Sequence, residues 1–436
     1  MAINCIDLNS CGCCSGSIFS CGEWYSIWTR RGPERFTTTV VVAGSEEDEQ
    51  MGAQHCGING IGAVTGYGWG REALWDGLVG GEVAARPIGG HGPDRDQAAW
   101  VANVPDGGDE LDGPSRFARA MRAAAREAII DAEGRGWRPG RRVGLLHAAV
   151  LGDLELWRNF YATRGADVPV RDYLSLMPST PVSTFMQEFG FHGPAMNVSA
   201  TCASGNAGLL SAKAWLDADV VDDVVFVATD LSSTPETVLH FSRLGVAITD
   251  AEPLQACRPF QEGSRGFIMG EGSVGMVLSK RSPNPYARVL GGAMSHDAHH
   301  VTSVDPNLTQ LVRCFSEALA NAGAEPSQVR YLNAHGPGTR QCDRAEAAVF
   351  EKLLPTDAEL YSVKPLVGHC MGAASAAEIS ATALGYDRGL IPAPPKVAPG
   401  HPKLLDGPTA PADGLTLKSS LGLGGHNSAV VLAPPA

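Results

Sequence analysis

Strand-like apolar runs alternate with amphipathic helical patterns along most of this chain, and this alternation limits its fold more than any other feature. In the first half, strand-like runs open at residue 56 and recur at 141–150 and 220–229, with a helix predicted over 114–133. The second half repeats the arrangement, with strand-like runs at 273–280, 287–295, 329–336, 359–365 and 427–434 and helical patterns at 307–323, 343–353 and 372–385. Alternation of this kind predicts an α/β architecture with largely parallel, buried strands.

Residues 1–54 differ in composition from the rest of the chain. Five cysteines lie within the first 21 residues, and an acidic cluster stands at 46–49. Without a histidine nearby, these cysteines fit a zinc site poorly. We therefore predict an N-terminal extension of unknown role at 1–54.

Charge and hydropathy exclude several classes of partner. The 436 residues carry a formal charge of −13, and the pI is about 5.4. Broad binding to phosphate backbones is not expected of such a chain. No stretch approaches the ~20 apolar residues of a membrane helix, and no secretory signal pattern opens the sequence. We expect no nucleic-acid or membrane partner and a cytoplasmic location.

Cys202 lies between small residues in the segment TCASG, just before a helical pattern. A sulfur on a tight turn at a helix N-terminus has its pKa lowered from ~8.5 towards neutrality and lies near backbone N–H donors. The placement indicates a nucleophile. A small buried cysteine that serves only as an apolar side chain gives the same local pattern, so this segment alone leaves both interpretations open.

Two histidines follow predicted strands. His335 ends an apolar strand and opens the Gly-rich loop HGPGT, and His369 lies in KPLVGH, together with Lys364. Such positions face a crevice in parallel sheets. One histidine there is often structural, but two favour a shared site. Near the C-terminus, the Gly-Leu-Gly-Gly turn at 422–425 can offer N–H donors to an oxyanion.

The order and spacing of these residues resemble the beta-ketoacyl synthases, the elongating thiolase-fold enzymes of fatty acid and polyketide assembly. The resemblance covers about residues 55–434 and is carried by IGAVTGYG, TCASG, RPFQEGSRGFIMGEG, HGPGT, KPLVGH and LGLGGHN. It implies two pseudo-symmetric α/β halves in a layered αβαβα architecture. The first half, 55–284, would carry the cysteine, and the second, 285–436, the histidines and the lysine.

The resemblance also implies roles for particular side chains. Cys202 would accept an acyl chain from a carrier-protein thioester. His335 and His369 would stabilise the enolate that forms when a malonyl-type extender loses carbon dioxide, with Lys364 as electrostatic support. Neutral imidazoles suit this task, because the carbanion must be held by donors rather than captured by a strong acid.

Further positions match the family's supporting residues. The backbone N–H groups of Cys202 and Leu423 would form the oxyanion hole, Glu378 would help to organise the second histidine, and Thr339 would bind the pantetheine arm. No cofactor and no metal are implied, since the substrate arrives on the phosphopantetheine arm of an acyl carrier protein. The family is dimeric, so a homodimer or a heterodimer with a ketosynthase-like subunit is expected.

Four positions depart from the family pattern. Pro337 stands where a threonine usually touches pantetheine, and Leu423 replaces a phenylalanine that gates the acyl pocket. Gln261 replaces an aspartate after RPF, and Arg265 replaces an acid before Gly-Phe. No reacting group is lost, so these changes bear on substrate choice more than on catalysis.

A basic stripe is predicted on the helix at 114–133, where arginines recur at spacings of three and four: Arg116, Arg119, Arg122 and Arg126. A solvated helix face explains such a stripe equally well. Because carrier proteins are acidic and related synthases dock them through basic residues in this region, Arg116, Arg119 and Arg122 are candidates for carrier docking.

Other activities share parts of this pattern. A degradative thiolase needs a second cysteine in the C-terminal Gly-rich motif, and a starter-type synthase pairs its cysteine with one histidine and an asparagine; the segments LGLGGHN and KPLVGH fit neither. An acyltransferase that forms an ester or amide without decarboxylation stays open. A non-catalytic chain-length subunit typically lacks the nucleophile, and Cys202 argues against it.

Overall fold

The structure is a computed structural model that describes residues 26–30, 36–40, 56–163 and 169–435, in two separate units that divide after Gln54. In the first unit, β1 (Ser26–Arg30) and β2 (Phe36–Val40) pair in antiparallel register. The five cysteines of the predicted N-terminal extension lie outside the described residues.

The second unit contains the remaining elements. Its strands are β3 (Cys56–Thr65), β4 (Gly68–Trp69), β5 (Arg86–His91), β6 (Gln97–Val101), β7 (Val143–Ala148), β8 (Ala195–Val198), β9 (Asp223–Asp230), β10 (Gly272–Ser279), β11 (Ala287–His296), β12 (Val329–Asn333), β13 (Glu359–Tyr361), β14 (Leu415–Gly422) and β15 (His426–Ala433). Its helices are α1 (Arg71–Val79), α2 (Arg116–Gly134), α3 (Leu154–Ala162), α4 (Val170–Ser175), α5 (Ser179–Phe189), α6 (Ser204–Asp217), α7 (Pro235–Arg243), α8 (Pro253–Ala256), α9 (Thr309–Asn321), α10 (Arg340–Leu353), α11 (Lys364–Val367) and α12 (Ala374–Arg388).

The large sheet has the same topology twice. Its order is β13-β12-β14-β15-β11-β3-β10-β9-β7-β8, with β4 paired to β3. Outward from the central β3–β11 pair, one half runs β3, β10, β9, β7, β8 and the other runs β11, β15, β14, β12, β13. If the five strands of each half are numbered along the chain, both halves have the order first, fifth, fourth, second, third. In both halves the first two of these pairs are antiparallel and the last two are parallel. Two α/β halves of one design therefore meet at the centre of the sheet.

Helices separate and cover the two halves. The central helices α6 and α12 contact each other, and between them they contact strands of both halves. On the outer faces, α2 packs on β3 and β10, and α9 packs on β11 and β15. Strands β7, β9 and β10 are buried along their whole length because helices cover both faces. The result is the layered αβαβα arrangement that the resemblance implies, which confirms the predicted fold class.

The strand directions differ from the sequence prediction. Largely parallel strands were expected. In the first half, however, antiparallel pairs join β3 to β10 and β10 to β9, and in the second half they join β11 to β15 and β15 to β14. The central strands β3 and β11 are also antiparallel. A fully buried strand has the same apolar composition whether its neighbour runs parallel or antiparallel, so the pattern does not reveal direction.

Within the part of the chain that the structure describes, no helix is long and apolar enough to cross a membrane.

Candidate active site

Cys202 lies on a strained turn between β8 and α6. The preceding residue, Thr201, has a positive φ of 50°, and Cys202 itself is 5% exposed. The hydroxyl of Ser204 donates to the carbonyl of Thr201 at 2.6 Å and accepts from the backbone N–H of Ala200 at 2.8 Å. The hydroxyl of Ser420, on β14, donates to the carbonyl of Cys202 at 2.9 Å. The turn is therefore held from within and from the other half of the sheet, as a nucleophile requires.

His335 follows the end of β12 and is positioned through its backbone. The buried carboxylate of Glu346, on α10, accepts from the backbone N–H groups of His335 at 2.8 Å and of Gly336 at 2.7 Å. The strand end and the start of the HGPGT loop are thereby held on one side chain. Glu346 was not predicted from the sequence, although its place in α10 eleven residues after His335 is a signal that could have been used.

His369 follows α11 and lies in a different backbone environment. Its N–H donates to the carbonyl of Ile268 at 2.8 Å, and its carbonyl accepts from the N–H of Gly270 at 3.0 Å. The imidazole meets the edge of Phe267, with ring centroids 4.7 Å apart. Phe267, Ile268 and Gly270 all belong to the stretch RPFQEGSRGFIMGEG, which therefore positions the backbone and the ring of His369.

These three side chains converge although they lie far apart in the sequence. The sulfur of Cys202 and a ring nitrogen from each of His335 and His369 lie within 4.8 Å of one another, and all three residues are buried. The two imidazole centroids are 5.4 Å apart, with the rings nearly perpendicular. One thiol and two imidazoles can also bind zinc, and this trio is the one candidate metal cluster among the described residues. The expected absence of a metal stays a prediction.

Burial determines the protonation of the trio. It raises the pKa of the Cys202 thiol to about 11, although the charge of Lys364 and the backbone N–H groups of Leu423 and Cys202 oppose the rise. The predicted shift towards neutrality is wrong, because loss of water around the sulfur outweighs the helix terminus. Burial lowers the pKa of His335 and of His369 well below the usual value, and the charges of nearby lysines lower them further. Both imidazoles are neutral at pH 7.

A buried charge cluster supports the histidines from behind. The ammonium group of Lys364 donates to the carbonyl of His335 at 2.5 Å and pairs with one oxygen of Glu378. The other oxygen of Glu378 lies 2.7 Å from the ammonium of Lys418, on β14. We expected Glu378 to organise His369. Among the described residues its carboxylate binds two lysines instead, since the buried anion is compensated by the nearest cations.

A cavity of about 250 Å³ leads to the trio. Its lining includes Thr339, Pro337 and Leu423, together with Cys202, His335 and His369. Leu423 lies in the turn between β14 and β15, its carbonyl accepting from the hydroxyl of Thr201 at 3.0 Å. Its backbone N–H and that of Cys202 lie close enough to the sulfur to lower the pKa of the thiol; that the two groups form an oxyanion hole stays a prediction.

The other two departures lie beside the site. The amide oxygen of Gln261 accepts from the backbone N–H groups of Val397 at 2.8 Å and of Ala398 at 3.0 Å, so it holds the Pro-rich segment at 392–402. An acceptor is needed at this position, and glutamine supplies one without a charge. Arg265 forms an exposed ion pair with Asp250.

Internal ion pairs occupy most of the predicted basic stripe on α2. Arg116 contacts the buried Glu271 at 3.2 Å, and Arg122 lies 3.4 Å from the buried Asp112. For Arg119 the structure gives no ion pair, and its Nε is buried without a hydrogen-bond partner. The stripe is therefore half-buried structural support, and its availability for carrier docking stays a prediction that the ion pairs disfavour.

Two other arginines lie near the cavity: Arg340 lines it, and Arg344 lines only the two surface depressions beside it. Arg340 and Arg344 lie one turn apart at the start of α10, both exposed, and no ion pair involves either of them among the described residues. Arg340 lines the cavity that leads to Cys202 as well as the two neighbouring surface depressions. Neither arginine was predicted as a site residue, because a position beside the cavity exists only in the folded chain, although their spacing of four directly after Thr339 is visible in the sequence.

Fold and site together are those expected of an enzyme that transfers acyl groups, with Cys202 as the candidate nucleophile. The sequence model for the beta-ketoacyl synthase N-terminal domain matches residues 55–284, and that for the C-terminal domain matches residues 286–397. The ketoacyl synthase alpha subunit of the tetracenomycin polyketide synthase of Streptomyces glaucescens is 30% identical over 87% of this chain and 96% of its own length. This chain belongs to the beta-ketoacyl synthase family, as the resemblance predicted.

Further relatives agree. The chloroplastic 3-oxoacyl-[acyl-carrier-protein] synthase I of Hordeum vulgare is 30% identical over 57% of this chain and 56% of its own length. A solved complex of a type II polyketide synthase acyl-carrier protein with its ketosynthase matches with a TM-score of 0.77 at 22% identity, over 87% of this chain and 99% of that one. The ishigamide ketosynthase/chain length factor matches with a TM-score of 0.75 at 24% identity, over 88% of this chain and 99% of that one. These two likenesses concern the fold.

Proposed function

We propose that this chain catalyses decarboxylative Claisen condensation between an acyl group on Cys202 and a malonyl-type extender on an acyl carrier protein. The observation that supports this activity most directly is the thiol within 4.8 Å of two imidazole nitrogens. A thiol alone is enough for acyl transfer. Two neutral imidazoles at the same cavity suit a reaction that must also stabilise an enolate.

Acyl loading comes first. The sulfur of Cys202 attacks the thioester carbonyl, and the N–H groups of Cys202 and Leu423 stabilise the oxyanion. When the C–S bond to the carrier breaks, the carrier thiol leaves with the proton that Cys202 gives up. Because the pKa of the free thiol is about 11, proton loss and attack must be coupled, and a neighbouring neutral imidazole is the available base.

Condensation follows on the acyl-enzyme. The extender's carbon–carbon bond to its carboxylate breaks, carbon dioxide leaves, and the electron pair forms an enolate that the N–H groups of His335 and His369 hold. The enolate carbon then attacks the acyl carbon, a new carbon–carbon bond forms, and Cys202 leaves as a thiolate that takes up a proton. Lys364 supports the negative charge through its contact with the His335 carbonyl.

We further propose polyketide or fatty acid assembly as the setting, with polyketide assembly favoured. The departures at Pro337, Gln261 and Leu423 suit a specialised pathway, and several relatives are named for polyketide synthases. One relative in the solved structures is bound to a carrier protein, and another is paired with a chain length factor. An acyl carrier protein and a second ketosynthase-like subunit, identical or not, are therefore the proposed partners.

Location and cofactor use follow from the same proposal. All six described cysteines are free thiols, which suits a reducing compartment, and we propose the cytoplasm. The substrate supplies its own reactive thioester, so no cofactor is proposed.

Carbon dioxide release provides the test. Malonyl-carrier protein labelled at the free carboxyl should release carbon dioxide in the presence of an acyl-carrier donor, and mass spectrometry should find the β-ketoacyl product. Cys202→Ala should abolish product formation, while Cys314→Ala, which removes a buried thiol on α9, should retain it.

Two outcomes would contradict the proposal. An acyl-enzyme that releases no carbon dioxide but transfers its acyl group to an alcohol or amine would make the chain an acyltransferase without decarboxylation. A chain that never becomes acylated would make it a pocket-shaping subunit.

A further inference from the structure

A second buried lysine beside the site has no role in the reaction described so far. Lys418, on β14, is entirely inaccessible to solvent. Its ammonium lies 2.7 Å from one oxygen of Glu378 and donates to the carbonyls of Asn333 at 3.3 Å and Ala334 at 3.4 Å, and to that of Ser419. Asn333 and Ala334 are the two residues immediately before His335. The lysine therefore connects β14 to the strand end that carries the first histidine.

The charge balance of this cluster is unusual. Lys364 and Lys418 share the single carboxylate of Glu378, and all three side chains are at most 1% exposed. Removing an ammonium group from water is costly unless its surroundings compensate it. One carboxylate neutralises one lysine, and the second buried carboxylate nearby, that of Glu346, accepts from the backbone N–H groups of His335 and Gly336 and from the hydroxyl of Ser419. The ammonium group of Lys418 adds positive potential at the two imidazoles, whose pKa values it lowers.

We propose that Lys418 is a positioning residue for the decarboxylation step, holding the His335 strand end and adding positive potential where the enolate forms. This inference rests on the proposed function. Acyl loading depends less on Lys418, because the oxyanion of that step lies at the backbone N–H groups of Cys202 and Leu423. The two half-reactions should therefore respond differently to its loss.

The protonation of Lys418 gives an independent signature. Burial lowers its pKa to about 8, although Glu378 on α12 and Glu346 on α10 oppose the shift, while Lys364 on α11 adds to it. The other titratable groups nearby are the imidazoles of His335 and His369, whose pKa values Lys418 lowers. Above pH 8 the extra charge is lost, so decarboxylation should decline there.

The test is Lys418→Met, which keeps the chain length of the side chain and removes its charge. We expect carbon dioxide release from the acylated enzyme to fall about 10- to 30-fold, the size of one charge acting across several ångströms of protein, while the rate of acyl-Cys202 formation stays within about 3-fold. The alkaline decline near pH 8 should disappear. The acidic limb of the pH profile of carbon dioxide release should move to higher pH, because removal of a neighbouring cation raises the pKa of both imidazoles.

Controls separate this role from loss of structure. Lys280→Met removes a lysine whose partner is the surface residue Asp219, and should leave both half-reactions unchanged. Lys418→Arg keeps the charge and should restore part of the decarboxylation rate. Equal losses in loading and decarboxylation, or an unchanged pH profile in Lys418→Met, would overturn the inference. Because the wild-type enzyme is assayed for carbon dioxide release in parallel, failure of the proposed function itself would be seen separately.

Discussion

Reactivity at the residue scale depends on Cys202, whose local sequence and environment push its pKa in opposite directions. The turn and the helix start favour the thiolate, but burial dominates and raises the pKa to about 11. A thiol in this state is protonated in the resting enzyme at neutral pH. Its reactivity must therefore depend on proton removal during attack, in which a neutral imidazole takes part.

Alkylation of Cys202 by iodoacetamide should show this directly. Below the pKa the thiolate fraction rises about tenfold per pH unit, so the rate should still increase between about pH 8 and 10, with no plateau near neutrality. Peptide mass spectrometry locates the label, and Cys202→Ser provides the background. A rate that reaches its plateau by about pH 7 would mean that the thiolate is already formed at neutral pH and that burial does not raise the pKa of Cys202.

Packing between elements depends on close contact of α2 with the sheet. A Cβ atom added at Gly62, on β3, would come closer than 3.0 Å to the carbonyl oxygen of Ala124 on α2, and one at Gly275, on β10, would meet the same carbonyl. The backbone of α2 therefore packs directly against glycines of β3 and β10. No flexible side chain is available there to move aside.

Gly62→Ala should destabilise the protein by about 3 kcal/mol, at the upper end of the usual range for overpacking, because backbone atoms must shift. Gly134→Ala, at the last residue of α2, is the matched control: a Cβ there meets nothing within 4 Å, so stability should change by less than about 0.5 kcal/mol. Denaturant unfolding followed by circular dichroism measures both. Equal midpoints for the two variants would show that α2 can adjust its position.

The whole molecule combines a formal charge of −13 with exposed arginines near the cavity. Arg340 and Arg344 have no ion pair among the described residues, whereas acidic partners hold Arg116 and Arg122 on α2. Carrier proteins are acidic, and their pantetheine arm carries a phosphate. A local positive patch on a negative surface can orient such a partner.

Arg340→Glu combined with Arg344→Glu should raise KM for an acyl-carrier substrate by about 10- to 100-fold, since like charges now face each other. The rate with a small acyl-pantetheine thioester, which lacks both the carrier and the phosphate, should stay within about 2-fold. Arg313→Glu on α9, an exposed arginine paired with Glu317, serves as the control for the same substitution away from the cavity. Equal effects of the double variant on both substrates would place the two arginines in folding or in the cavity rather than in docking.

Local sequence patterns were sufficient for most of the long elements and for the three candidate site residues that the structure brings together. The strand-like runs and helical patterns predict the strands β3, β7, β9 to β13 and β15 and the helices α2, α9, α10 and α12; α2 was predicted at 114–133 and is Arg116–Gly134. TCASG, HGPGT and KPLVGH identify one thiol and two imidazoles, because turns and strand ends have short-range signals. The start of α10 was placed late, at 343 instead of Arg340, since polar residues open that helix. The strands β8 and β14 and the helices α3, α4, α5 and α7 were not predicted.

Tertiary structure alone decided strand direction, the charge partners and the protonation of the site. Lys418 lies 40 residues from Glu378 in the printed sequence and within 2.7 Å of it in space. Likewise, only the folded chain pairs Arg116 with Glu271 and Arg122 with Asp112. Hydrophobic period and turn chemistry act over a few residues, so a sequence records them. Desolvation and Coulomb energy depend on distances between distant segments, and these exist only when the chain has folded.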